Sequence, residues 1–435
     1  MATQAGRRTP LAARLLPSGL FYGWYVTLAC AALMFVSVGV GYYGLAIFLR
    51  PLQEAHGWSN ATVSGATGLY FSLSGLASAL IGPRIDRYGP TRFMVAGVLL
   101  LGATVALVGW VRAVWQLYLV YAVLAAGFGM STNVGVNSVM SRWFVTRRAK
   151  AMSVTFTGVS VGGMVLAPLG GKLIDIGGLE LAAPAMGALV IAVGLPMVLG
   201  VIVWDPSQMG LKPDGGAPAP ASARASLDDA VQRRQWTRGQ ATRTVAFWAI
   251  LTGFVLALAA QTGFLIHQIA FLEGRLGSRS AAALALSTTA LGSIVARLIV
   301  GQFADRLDKR LLTVILFVVQ GAAVLGIVAT RSVVLTYGLV LVVGFTIGNV
   351  YMMQTLLVAE IFGVVSFGSV FGLISLATQT SSGIGPFLVG WLDDRTGSYA
   401  VPFVITALLT FAAAAAVSLA RPEPSPRRSV SRSTG

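Results

Sequence analysis

Apolar residues in this chain lie in long runs separated by short polar stretches. Twelve runs, near 22-48, 60-82, 93-111, 114-140, 149-171, 181-204, 244-272, 281-304, 311-330, 333-358, 367-390 and 399-420, approach or exceed the roughly 20 residues that a bilayer crossing takes. Lipid offers a backbone no hydrogen-bond partners, so each run is expected to be a helix that satisfies its own amides. The one long polar interruption, 205-243, divides the runs six and six. The pattern predicts an all-α membrane protein of twelve transmembrane helices in two six-helix bundles, 22-204 and 244-420, with an N-tail 1-21, a linker 205-243 and a C-tail 421-435. The linker, rich in Pro, Ala, Gly, Ser and Arg, reads as flexible. The first run is too long and too rich in glycine for a cleavable signal, and is expected to be a retained first helix.

Composition agrees with a chain that lives in lipid. Of 435 residues 56% are hydrophobic and 11% charged, with mean hydropathy +0.78. The formal charge of +16 would suit nucleic acid in a soluble protein, but in a membrane protein the position of each Lys and Arg is what counts. Of the 31, 23 fall in the tails, the linker and alternate loops, seven fall in the opposite loops, and one, Arg297, lies within a run. That asymmetry places both termini and the linker in the cytoplasm, across a cell (inner) membrane, and no nucleic-acid partner is expected. Cys30 is the single cysteine, so no internal disulfide can form.

The halves are related. Gly82-Pro-Arg-Ile-Asp86-Arg87-Tyr-Gly89 follows the second run, and Gly301-Gln-Phe-Ala-Asp305-Arg306 follows the eighth, at an offset of 219. Ala167-Pro168 through Asp175 is answered by Gly385-Pro386 through Asp393 at an offset of 218. Glycine lets two helices approach, and a carboxylate in a short loop can meet a helix N-terminus. This paired loop resembles the signature of the major facilitator superfamily over essentially the whole chain. The resemblance implies that Asp86 with Arg87, and Asp305 with Arg306, latch a cytoplasmic gate, each aspartate near the start of a helix from the opposite bundle. Phe21-Tyr-Gly23-Trp24-Tyr-Val and Arg142-Trp143-Phe144-Val-Thr-Arg147-Arg148 are similar to entry motifs of the monocarboxylate and oxalate porter families, although Lys150 and Ser153 replace an apolar residue and a glycine of that pattern.

Arg297 carries the chemistry argument. Eight residues before Asp305, it sits about 12 Å inside the helix end, where a charge costs at least ~2.5 kcal/mol. All fifteen acids fall in loops or at helix ends, so no carboxylate of the chain is placed to meet it. The substrate is then expected to supply the negative charge, gripped by two parallel hydrogen bonds. The alternative is a structural arginine bonded to backbone carbonyls. Thr289, Ser293 and Arg297 follow at helical spacing and make one polar stripe.

The porter families carry a substrate-binding arginine in this Ala-Arg-x-x-x-Gly context, with departures here: Ser293 stands where an aspartate tied to proton coupling is usual, and Thr378 where the oxalate porter has a second cation. One central cation argues for a monoanion. Other candidates for substrate contact are Asn133 and Tyr351, which are repeat equivalents of each other, with Tyr42, Tyr43 and Gln379. For each of these an interhelical hydrogen bond is the alternative. His267, near the outer end of the seventh run, is the candidate for proton coupling.

There is no nucleotide-binding loop, metal-ligand cluster or nucleophile-base pair, so neither enzyme chemistry nor a cofactor is expected. Energy must come from a gradient of substrate, proton or counter-anion. The leading expectation is a secondary carrier of small organic anions working by alternating access. A drug or sugar-acid exporter and a non-transporting membrane sensor are the competing readings.

Overall fold

The structure, a computed structural model, describes residues 20–216, 236–276 and 279–421. In chain order its helices are α1 (Tyr22–Gly41), α2 (Tyr43–His56), α3 (Asn60–Tyr88), α4 (Thr91–Leu107), α5 (Val114–Phe128), α6 (Asn137–Trp143), α7 (Arg148–Pro196), α8 (Val245–Leu276), α9 (Arg279–Phe303), α10 (Lys309–Ala329), α11 (Val333–Ile347), α12 (Val350–Phe362), α13 (Phe367–Thr396) and α14 (Ala400–Ser418). All twelve expected runs are helical, and nine helical segments among the described residues are long and apolar enough to cross a membrane. This is a multi-pass, all-α membrane protein.

Helix starts follow ordinary capping chemistry. The side chains of Ser59, Asp308 and Ser332 accept from the amides of Thr62, Leu311 and Leu335, covering donors that the first turn leaves free. The surface is apolar, with Leu28, Leu80 and Val334 exposed and Val334 at 83%. Inside, hydroxyls such as Thr27 and Ser78 are buried and donate to the carbonyl four residues back. That arrangement suits a solvent that cannot hydrogen-bond.

Several expected runs differ from one straight helix each. The first bends at Tyr42 into α1 and α2. The fifth and sixth lie along α7, which breaks at Gly177 and Gly178, the latter at φ 65°, a backbone conformation open chiefly to glycine. The fourth passes through a π-helical stretch, Gly129–Val136, between α5 and α6. The tenth turns at Gly348 and Asn349 between α11 and α12. Those last two irregularities coincide under the internal repeat, so both halves interrupt the same helix at one level.

The bundles meet along two seams. In one, α3 packs on α13 so closely that a Cβ on Gly82 would overlap the Gly368 carbonyl oxygen, and one on Gly75 would lie 2.7 Å from Leu376 Cα. In the other, α7 packs on α9, where a Cβ on Gly301 would strike the Ser153 side chain. Ser153 thus stands against the equivalent of Gly82.

Residues 205–216, the start of the expected flexible linker, are folded; 217–235 lie outside the described residues. Asp205 caps the short turn Pro206–Met209, and Asp214 is only 8% exposed. Its carboxylate accepts from three consecutive amides, Val145 at 3.0 Å, Thr146 at 2.8 Å and Arg147 at 3.3 Å. Its own φ is +56°, which aspartate tolerates and alanine does not. Asp214→Ala should therefore lower unfolding stability by about 2–3 kcal/mol, read as a fall in the thermal midpoint in detergent, with Asp214→Asn costing less.

Candidate functional site

Arg297 is buried, 6% exposed, on α9. Its Nε donates to the carbonyl of Gly348 at 2.5 Å, and Nη1 donates to the carbonyl of Phe156 at 3.0 Å and to the hydroxyl of Ser160. The Gly348 carbonyl is available because the helix turns there. Phe156 and Ser160 belong to α7, so the guanidinium spans both bundles. Among the described residues its hydrogen-bond partners are two carbonyls and a hydroxyl. The backbone partners are those that the structural alternative called for.

The polar stripe below Arg297 is tied up within the second bundle. Thr289 accepts from Gln268 Nε2 at 3.0 Å, and Ser293 packs against Gly348, where an added Cβ would lie 2.9 Å from the serine hydroxyl. Gly344 and Gly348, spaced one turn apart, let α11 lie directly on α9 at this stripe.

Three tyrosines form a cluster, and one of them, Tyr43, reaches Arg297. Tyr42 and Tyr43 contact edge to face with centroids 5.3 Å apart, and Tyr42 meets Phe71 at 5.4 Å. Tyr43 lies against Gly163 and within electrostatic reach of Arg297; Tyr351, hydrogen-bonded to Ser382, is the electrostatic neighbour of both Tyr42 and Tyr43. All three are half-buried. The bend at Tyr42 brings two successive rings near the break between α11 and α12, so local irregularity in α1–α2 and α11–α12 builds the cluster.

The remaining candidates are placed as follows. Gln379 donates to Ser74 at 3.3 Å, tying α13 to α3. His267 lies 3.0 Å from the Pro386 carbonyl and against Tyr399, contacts within the second bundle that include none of the other candidates. The side chain of Asn133 lies outside the described residues. Its helical neighbour Asn137 accepts from Thr355 at 3.2 Å across the bundles.

At one end of the molecule, here the motif end, both motif aspartates reach the opposite bundle. Asp86 accepts from the amides of Gly368 at 2.8 Å and Ser369 at 2.7 Å and from the Ser369 hydroxyl at 2.6 Å. Asp305 accepts from the amides of Ala149 at 2.7 Å and Lys150 at 3.1 Å. Each carboxylate thus sits on a helix N-terminus, where unpaired donors and the helix dipole favour negative charge. Burial pushes the Asp305 carboxyl up from its ordinary value, and those two amides with Lys309 and Arg148 act against it. Arg87 and Arg306 are exposed, Arg87 lying over the Tyr88 ring.

Asp86→Asn removes charge from a three-donor contact. It should shift the closed–open balance of the motif end by about 2 kcal/mol, roughly thirtyfold, read from spin-label distances across α3 and α13. Asp305→Asn, with two donors, should shift its seam less.

The partners of Arg297, namely Phe156, Ser160 and Gly348, were not among the sequence candidates. Ser160 had one usable signal: it is the repeat counterpart of Thr378, the position on α13 where the oxalate porter has a second cation.

Comparison with known proteins bears on the whole chain. The chain is 23% identical over 407 residues to the oxalate:formate antiporter of Oxalobacter formigenes, covering 92% of this chain and 91% of that protein. It is 24% identical over 401 residues to monocarboxylate transporter 13 of Bos taurus, covering 91% and 88%. Among solved structures, the human organic anion transporter MFSD10 (TETRAN) superimposes with a TM-score of 0.71 at 17% identity, over 92% of this chain and all of that one. FucP in the outward conformation superimposes with a TM-score of 0.68 at 15% identity, over 92% and 99%. The model of the Major Facilitator Superfamily matches residues 29–363 and 268–435, and the chain belongs to that superfamily.

Proposed function

We propose that this protein is a secondary carrier of a small organic anion, a monocarboxylate, held at Arg297 and moved by alternating access between the two bundles. The observation that carries the reading is the buried guanidinium, which spans the bundles without a carboxylate among its described partners and has Tyr43, one of a cluster of three tyrosines, within electrostatic reach. A carboxylate brought by the substrate would accept two parallel bonds from the guanidinium, and the tyrosines Tyr42, Tyr43 and Tyr351 would flank it. Ser293 and Gln379 are assigned to the walls of the same site. The oxalate:formate and monocarboxylate transporters among its relatives are consistent with that substrate class.

Charge distribution directs the motif end to the cytoplasm, with both tails, and makes Asp86 and Asp305 the latches of the cytoplasmic gate. The cell (inner) membrane is the assigned location. Coupling to a proton or to a counter-anion completes the cycle, and His267 is the residue assigned to proton coupling.

The test is a thermal-shift screen of purified protein with mono- and dicarboxylates from C2 to C6, followed by uptake of the best ligand into proteoliposomes. A monocarboxylate should stabilise most and be taken up saturably. Stabilisation by uncharged drugs or sugars alone, with every carboxylate silent, would refute the assignment.

A further inference from the structure

We propose that Ser160 ties occupancy of Arg297 to the opening of the cytoplasmic seam, by holding the guanidinium edge that a substrate carboxylate must take. The inference rests on the carboxylate site assigned above to Arg297.

The α7–α9 seam is closed at three successive levels. At its base the amides of Ala149 and Lys150 hold Asp305; further in, Ser153 packs on Gly301; at the top Phe156 and Ser160 hold Arg297. Along α7 this covers about 16 Å, at 1.5 Å per residue. Only the top level uses a side chain that also serves the proposed site. Unlatching at the base leaves that level in place, so parting the seam also requires the hold of α7 on Arg297 to be loosened.

Guanidinium geometry dictates what makes it let go. A carboxylate bound at two points needs two neighbouring N–H donors of the planar fork. Nε is committed to Gly348, a partner on the same bundle. The two-point edge that remains is Nη1 with Nη2, and Nη1 is occupied by the Phe156 carbonyl and the Ser160 hydroxyl. An incoming carboxylate therefore competes with α7 for Nη1. Of the two α7 partners the hydroxyl is the one free to turn away, since the carbonyl is fixed in the helix. Binding then removes a bond that crosses the bundles, and the empty carrier keeps it. This makes Ser160 a positioning residue: it prevents leakage through an unoccupied seam and it lowers apparent affinity by occupying the donor.

Across the pseudo-symmetric seam the equivalents of Arg297 and Ser160 are Ser78 and Thr378. Each donates to a carbonyl of its own helix, Ser78 to Ser74 and Thr378 to Ile374. The α3–α13 seam thus carries two hydroxyls at this level where α7–α9 carries a guanidinium, so the fork that could grip a carboxylate belongs to α7–α9.

The test uses full-length protein with spin labels at Arg147→Cys and Leu307→Cys, both exposed at the motif end, while the native Cys30 is buried. Without ligand, Ser160→Ala should raise the fraction of molecules with a parted seam roughly tenfold, as expected for loss of one bond to a charged group, and Ser160→Thr should restore it. With the monocarboxylate that best stabilises the unsubstituted protein, Ser160→Ala should also bind several-fold more tightly. An unchanged seam, or binding that falls to the level of Arg297→Gln, would overturn the proposal. Absence of carboxylate binding in the unsubstituted protein would instead refute the assigned site, while the ligand-free seam distances would still report on the Ser160 tie.

Discussion

Arg297→Gln should reduce initial carboxylate uptake into proteoliposomes on the order of 100-fold at sub-saturating substrate, with the protein still monodisperse and folded. Glutamine can keep one donor on the Gly348 carbonyl, so the break between α11 and α12 retains a partner, but it brings neither charge nor a two-point grip. Losing one member of a buried charge pair commonly costs about 2–5 kcal/mol, which sets the scale of the effect. Arg297→Lys separates charge from geometry. An ammonium keeps the charge and loses the planar fork, so its uptake should also fall at least about tenfold. Near-normal uptake by the glutamine variant would show that the residue is only a structural tie.

Gly82→Ala is the second large effect, and it acts on motion rather than on the ligand. The added Cβ would overlap the carbonyl oxygen of Gly368 and lie 2.5 Å from its carbonyl carbon. Both obstacles are helix backbone, which cannot turn aside as a side-chain tip can, so α3 and α13 must move apart by about 1 Å. Overpacking of this kind costs about 1–3 kcal/mol, and the same displacement stretches the bonds of 2.7 and 2.8 Å from Asp86 to Ser369 and Gly368. The closed motif end should become the minor state, with spin labels on α3 and α13 reporting separation and uptake falling roughly 30- to 100-fold. Gly171→Ala serves as the control, because a Cβ there meets nothing within 4 Å.

These two residues also mark what the sequence made legible. Arg297 stood out because an arginine inside an apolar run has few physical excuses, and Gly82 because its motif recurs in the second half at Gly301. The helical architecture followed from run length, since lipid enforces internal backbone bonding whatever the side chains are. What stayed hidden was local. Ser160 is one hydroxyl among many, and most intramembrane hydroxyls bond to their own helix, so its reach to Arg297 depends on how α7 faces α9. The interruptions at Gly129–Val136 and Gly348–Asn349 carry no proline that would mark them in the sequence. Asp214 lay in a stretch whose Pro, Gly and Ala content reads as flexible. Its order comes from three amides at the start of α7 that composition cannot reveal.

The hydrogen bond between Asn137 and Thr355 has a meaning beyond its 3.2 Å length. The two residues are 218 apart and so occupy one position in the two repeats. Equivalent points related by a two-fold rotation can touch each other only near the axis, as where one residue meets its own copy in an isologous dimer. Joined in a single polypeptide, the copies are free to differ, here an amide carbonyl facing a hydroxyl, a complementary pair that identical residues could form less well. The exchange Asn137→Thr with Thr355→Asn should then restore what either change alone disrupts, because on the axis left and right are interchangeable.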